Sequence, residues 1–201
     1  MESKDYLKDI TEIKDLMNRS SRFISLSGLS GILAGVYAII GGLIIHSIIS
    51  RTPEGYASIS GVHLRHCSVI LSAVAILSII TGIILTTKKA EKHGSKIWDS
   101  TSRRLILNFL IPLLTGGAYI LIILGTIGHG QIASLMLIFY GLALINASKY
   151  SLGGIRYLGL TEVFFGLLCA LLPSYGIWFW LTGFGVLHIV YGSVMYFKYE
   201  K

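Results

Sequence analysis

The chain has 201 residues, of which 53% are hydrophobic and 13% charged. An ordinary soluble domain carries about a quarter charged residues, and here the deficit runs through the whole chain, which excludes a water-soluble domain with one anchor. The formal net charge of +7 would suit a nucleic-acid binder, but the basic residues sit where membrane orientation needs them, so no nucleic-acid role is expected.

Residues 1–22 come first and differ from the rest. Tyr6, Ile10, Ile13 and Met17 recur with the period of one helix face. Lys8 with Glu12 and Asp15 with Arg19 stand four apart, where opposite charges support a helix. This segment is expected to form an amphipathic cytoplasmic helix that lies on the membrane surface or against the bundle, with the capacity to dock a protein partner. Nothing in it resembles a cleaved signal peptide, since about twenty polar and charged residues precede the first apolar run.

Residues 23–201 read as one transmembrane domain. A crossing helix needs roughly 20 mostly apolar residues. Six stretches qualify, at 23–49, 67–87, 105–128, 132–147, 157–174 and 177–197. The expected fold is therefore all-α, a polytopic bundle of six transmembrane helices. Fifteen of the seventeen Lys and Arg residues fall on one side of that arrangement. They are Lys4, Lys8, Lys14, Arg19, Arg22, Lys88, Lys89, Lys92, Lys96, Arg103, Arg104, Lys149, Arg156, Lys198 and Lys201; Arg51 and Arg65 fall on the other. Basic residues gather on the cytoplasmic side, so both termini are expected there, with the chain in a bacterial inner membrane. Trp98, Tyr150, Tyr157, Tyr196 and Tyr199 fall at the inner boundary and Tyr56, Tyr175, Trp178 and Trp180 at the outer one, depths that amphipathic rings prefer.

Helices in lipid associate by close packing on small residues. Ser27, Gly31, Gly35, Ala38 and Gly42 form such a stripe on the first helix, and Ser68, Ser72, Ala75 and Gly82 on the second. Gly159, Gly166 and Ala170 mark the fifth, Gly185 and Gly192 the sixth. These stripes orient the polar side chains. Glu162 is the only carboxylate within the six spans and shares a face with Gly159 and Gly166; His188 shares one with Gly185 and Gly192. Both are expected to look into the bundle, roughly 7 Å and 13 Å above the inner ends of their helices. The tight connection between those helices makes a Glu162–His188 pair geometrically allowed. Asn108, Pro112, Thr115 and Tyr119 share a face of the third helix, and Asn146 ends the fourth. With Glu162 and His188 they suggest an intramembrane polar pocket open toward the cytoplasm, or equally hydrogen-bonding glue between helices.

A second constellation is external. His46 ends the first helix, His63 and His66 precede Cys67 at the second, and His129 lies in the next outer loop. Histidines three apart share a helix face and suit a metal or haem, but only Glu54 stands near, so these are weak candidates and no metal or cofactor is expected. Two cysteines, Cys67 and Cys169, make no disulfide framework. There is no phosphate loop, no zinc-protease helix motif and no nucleophile elbow. An enzyme is not expected.

The run MNRSSRFISLSGLSG at 17–31 resembles the start of the first helix in a family of six-helix bacterial membrane proteins of the Bacteroidota type. RRLILNFLIPLLTGG at 103–117 and GFGVLHIVYG at 183–192 are similar to its third and last helices. The resemblance covers most of the chain and implies the six-helix membrane fold; it implies no activity. The functional expectation is a non-enzymatic membrane protein with a sensing, accessory or stress-related role and the lipid bilayer as its medium. The alternatives are a small carrier or proton-coupled transporter using Glu162 and His188, with Asn108 as a polar ligand, and a haem- or metal-binding redox protein using the outer histidines.

Overall fold

The computed structural model describes residues 27–51, 61–92, 98–124, 129–151 and 154–200, together with Ile10. The amphipathic helix expected over 1–22 lies, Ile10 apart, outside the described residues. Among those described the chain is helical, with six helices and no strand. They are α1 (Gly28–Ser50), α2 (Gly61–Lys92), α3 (Ser100–Ile123), α4 (His129–Ala147), α5 (Ile155–Leu171) and a last helix, α6. The last is continuous through three stretches: an α-helical Gly176–Trp180, a π-helical Leu181–Leu187 and an α-helical His188–Tyr199.

Five of these helices are long and apolar enough to cross a membrane. The fifth helix is the exception, with 17 residues, or about 26 Å at the usual rise, short of a hydrocarbon core of about 30 Å. Lipid suits the outer surface. Ile122 is 78% exposed and Leu114, Ile83 and Val69 are also turned outward, a pattern that would be costly in water and is neutral in hydrocarbon.

Local sequence sets the ends. Asp99 caps α3, its carboxylate accepting from the Ser102 N–H at 2.7 Å and the Ser102 hydroxyl at 2.8 Å. That Ser102 backbone bond, helped by the hydroxyl, holds the Asp99 carboxyl below the usual carboxylate range. Leu172 ends α5, and Pro173, which cannot continue its hydrogen bonding, opens a one-turn 3-10 link, Pro173–Tyr175, into α6.

The helices form two groups joined through α6. In one, α1 lies between α2 and α6; in the other, α4 lies between α3 and α5 and also meets the start of α6. Glycines set the close seams. A Cβ at Gly28 would stand 2.5 Å from the Gly192 oxygen, and one at Gly35 would stand 2.6 Å from the Gly185 oxygen. Across α4 and α5, a Cβ at Gly141 would lie 2.6 Å from the Gly159 oxygen. Backbone thus meets backbone in both pairs, the small-residue packing that lipid demands.

The second helix departs from its expected facing. Ser68, Ser72 and Ala75 are exposed, and a Cβ at Gly82 would meet nothing within 4 Å. The seam is instead made by Ile70, Leu71 and Val74, with Val74 lodged against Gly41 of α1. The reason is position: α2 lies at the edge and packs chiefly on α1, so one narrow row of branched side chains over a glycine completes its contact. The Tyr37 and Thr81 hydroxyls, 3.4 Å apart, add a polar link across the same seam.

At the end that holds Lys89, three helices are tied together. Glu200 accepts from the Gly28 N–H at 2.7 Å and from Lys89 Nζ at 3.0 Å, and the Ser27 hydroxyl is 3.4 Å away. A carboxylate on the first N–H of α1 complements that helix's positive end.

Candidate functional site

Glu162 is placed by the α4–α5 seam. One turn earlier, Gly159 brings the two helices into backbone contact with Gly141 and Ile145. One turn later, Ser134 Oγ donates to the Gly166 carbonyl at 2.8 Å. Between them the side chain is driven toward α6, where Gly183 leaves room for it. A Cβ at Gly183 would lie 2.6 Å from Glu162 Oε2 and overlap Leu137.

The carboxyl is fully enclosed, at 0% exposure, and among the described residues neither oxygen has a hydrogen-bond partner. The titratable side chain nearest it is His188, with Nδ1 3.4 Å from Oε1. That distance is within ion-pair range, yet it is not a hydrogen bond, because the Nδ1–H is engaged elsewhere. It lies 3.0 Å from the Gly183 carbonyl, and a carbonyl can only accept, so Nδ1 carries the proton. The other ring nitrogen, Nε2, is 2.8 Å from the Tyr140 hydroxyl. With Nδ1 protonated in a neutral ring, Nε2 accepts and Tyr140 donates. The ring is also stacked on Phe184 and tilted against Tyr140, in an aromatic row that runs on to Trp180. Hydrogen bonds at both nitrogens and rings beside it fix the imidazole in orientation and tautomer.

The four interior residues named from sequence therefore fall into two pairs. Glu162 and His188 meet. Asn146 Nδ2 donates to the Asn108 carbonyl at 2.9 Å, and Asn108 Nδ2 donates to the Arg104 carbonyl at 2.8 Å. The asparagines thus bridge α3 and α4 by backbone capture, and no hydrogen bond among the described residues joins them to Glu162 or His188. The rest of the expected α3 face turns outward: Thr115 and Tyr119 are exposed, and the Thr115 hydroxyl bonds its own helix at Ile111. The contact face of α3 is set by Gly116, where a Cβ would collide with Phe139.

The outer histidines do not assemble. Among the described residues no group of three or more His, Cys, Asp or Glu could hold a metal ion. His46 packs its ring on Trp178 at 5.2 Å, His63 is half-buried and His66 exposed. His129 begins α4, and its side chain lies outside the described residues.

Tyr140 and Gly183 are site residues that sequence reasoning passes over. The signal for Tyr140 is its depth: tyrosines favour the membrane boundaries, and this one stands mid-span. Gly183 carries no signal apart from the fold.

No protein-family model, curated protein or solved structure matches the chain. The reading of the site rests on its geometry.

Proposed function

We propose that this chain is a non-enzymatic, six-crossing protein of a bacterial inner membrane that senses protons, taking up and releasing one at Glu162. The observation that carries the reading is a fully enclosed carboxyl with two unpartnered oxygens, 3.4 Å from an imidazole whose own proton is directed to a carbonyl. A charge in hydrocarbon without donors costs several kcal/mol. A carboxylic acid there costs far less, so the arrangement described is that of the protonated state. Ionisable groups inside membranes are functional by default on the same ground.

The size of the site favours a proton over a solute. A methyl group on Gly183 would overlap both Leu137 and Glu162 Oε2, so the carboxyl is closely packed on the side of α6. A proton is a ligand that needs no cavity.

Six crossings follow if the fifth helix spans. A short helix crosses by thinning the bilayer around it at modest cost. The placement of fifteen of seventeen basic residues on one side supports cytoplasmic termini. Residues 1–22 would then lie in the cytoplasm, on the side where a protein partner can receive the signal.

The test is infrared difference spectroscopy of the full chain in lipid nanodiscs across a pH titration. Apart from the bands of its nine other acids, the wild type should show a protonated-carboxyl band at the frequency of a carboxyl without hydrogen-bond partners, and this band should disappear as pH rises. Glu162→Gln should lack the band and keep the fold. A wild-type spectrum with no such band at any pH, or a band retained in Glu162→Gln, would remove Glu162 as the proton site.

A further inference from the structure

The proton on Glu162, once lost, has a structural consequence in α6. The imidazole Nδ1–H stands before two acceptors: the Gly183 carbonyl at 3.0 Å, which it bonds, and Glu162 Oε1 at 3.4 Å, which it does not. A neutral acid is the weaker competitor. A carboxylate is the stronger one, because a charge-assisted hydrogen bond is roughly twice as strong as a neutral one. The few tenths of an ångström between the two positions are within the reach of a small ring rotation.

Gly183 is no ordinary carbonyl. It lies in the π-helical stretch Leu181–Leu187, and His188 stands five residues beyond it. That spacing is the π register itself, so the side-chain bond braces the widened turn. π-Helical turns set within α-helices recur at functional sites. The same stretch carries the contact with α1: a Cβ at Gly35 would meet the Gly185 oxygen at 2.6 Å and the Ile189 nitrogen at 3.0 Å. A change of register in the π stretch has to move this seam.

We infer that Glu162, His188 and the Gly183 carbonyl form a proton-operated switch, in which loss of the Glu162 proton draws the His188 Nδ1–H from Gly183 to Glu162 and relaxes the π stretch against α1. This rests on the proton-site reading above and adds the element that transmits the signal. The proton leaves Glu162 for the solvent, the imidazole stays neutral with Nδ1 protonated, and no other covalent bond changes. The titratable groups that face the pair are Tyr140 from α4, bonded to Nε2, and Tyr191 from α6, packed in the cluster of Leu144, Ile155 and Leu158. On α5 itself the next is Cys169, buried two turns further on. The seam residues of α1, Gly35 and Ile39, carry no titratable group.

Hydrogen–deuterium exchange of the full chain in nanodiscs, read by mass spectrometry and normalised to the intrinsic rate at each pH, tests the switch. Protection over residues 181–188 should fall about fivefold, the equivalent of one ordinary hydrogen bond, across the pH range where the infrared band of Glu162 disappears. Glu162→Gln, of the same shape, should stay at the low-pH level throughout. His188→Phe should keep the infrared titration and lose the change in protection. If the band titrates while protection over 181–188 stays constant in the wild type, the switch is wrong and the proton site stands. If the band never titrates, the proton site fails and the switch with it.

Discussion

Buried acceptors normally find donors, and the exceptions mark work beyond stability. Among the described residues Glu162 is such an exception, as is Trp180 Nε1 at the end of the same aromatic row, while the imidazole between them is satisfied. His188 is held at both nitrogens, by Gly183 and by Tyr140. The Tyr140 bond can be tested alone. Tyr140→Phe keeps the ring that packs on Phe184 and Phe109 and removes the donor to Nε2. An imidazole acceptor stranded in the interior should cost about 1–3 kcal/mol, seen as a lower midpoint for thermal loss of helical circular dichroism in detergent. An unchanged midpoint would mean that the ring stacking alone holds His188. At this scale the sequence is partly legible. Glycines at i−3 and i+4 rightly place Glu162 and His188 on inward faces, because in lipid small residues mark the contact side. For Asn108 the choice between pocket and glue falls to glue, since its carbonyl takes Asn146 Nδ2 from the neighbouring helix. The wide face around Pro112 is polar only in name, since threonine and asparagine can bond their own helix and need no partner from another one.

Each element shows which sequence signals survive folding. Helix lengths were readable from apolar runs, but α2 extends well before and after its apolar core, from Gly61 to Lys92. Hydropathy marks the part in lipid, while backbone hydrogen bonding carries the helix on into water. The π stretch of α6 leaves no trace in composition, because it arises where Gly183, Gly185 and His188 meet other helices. The cap of α3 is a separate, local device. Asp99→Ala removes the acceptor for Ser102 and should destabilise the start of α3 by about 1 kcal/mol, measured as faster amide exchange over residues 100–104. The pH dependence has a definite sign. A carboxyl held below its ordinary range in the folded chain stabilises above its unfolded value, and the contribution is lost as pH falls through its lowered folded value. Wild type and Asp99→Ala should therefore differ at neutral pH and converge in acid. Convergence at neutral pH, or a gap that persists in acid, would contradict the cap.

The described residues form two helix groups joined through α6, and α6 carries His188 and Gly183, the groups that face Glu162 of α5, as well as the α1 seam. Its far end returns to the start of α1 through Glu200, Lys89 and Gly28, so a change within α6 has a direct mechanical route to the end of the bundle next to residues 1–22. That Glu200 contact was invisible from sequence, because it joins residues 172 apart. The multi-pass character was plain from composition alone; the count of six depends on α5, the shortest helix and the one that carries Glu162. If α5 spans the bilayer, Glu162 sits in hydrocarbon and must hold a proton or a partner. If it does not, the energetic case for a proton site dissolves. The most direct measurement places topology reporters on each end of the full chain, a fluorescent protein active only in the cytoplasm and a phosphatase active only outside it. The account expects fluorescence and no phosphatase activity from both termini; a C-terminus reporting from the outer face while the N-terminus reports from the inner would leave five crossings and contradict it.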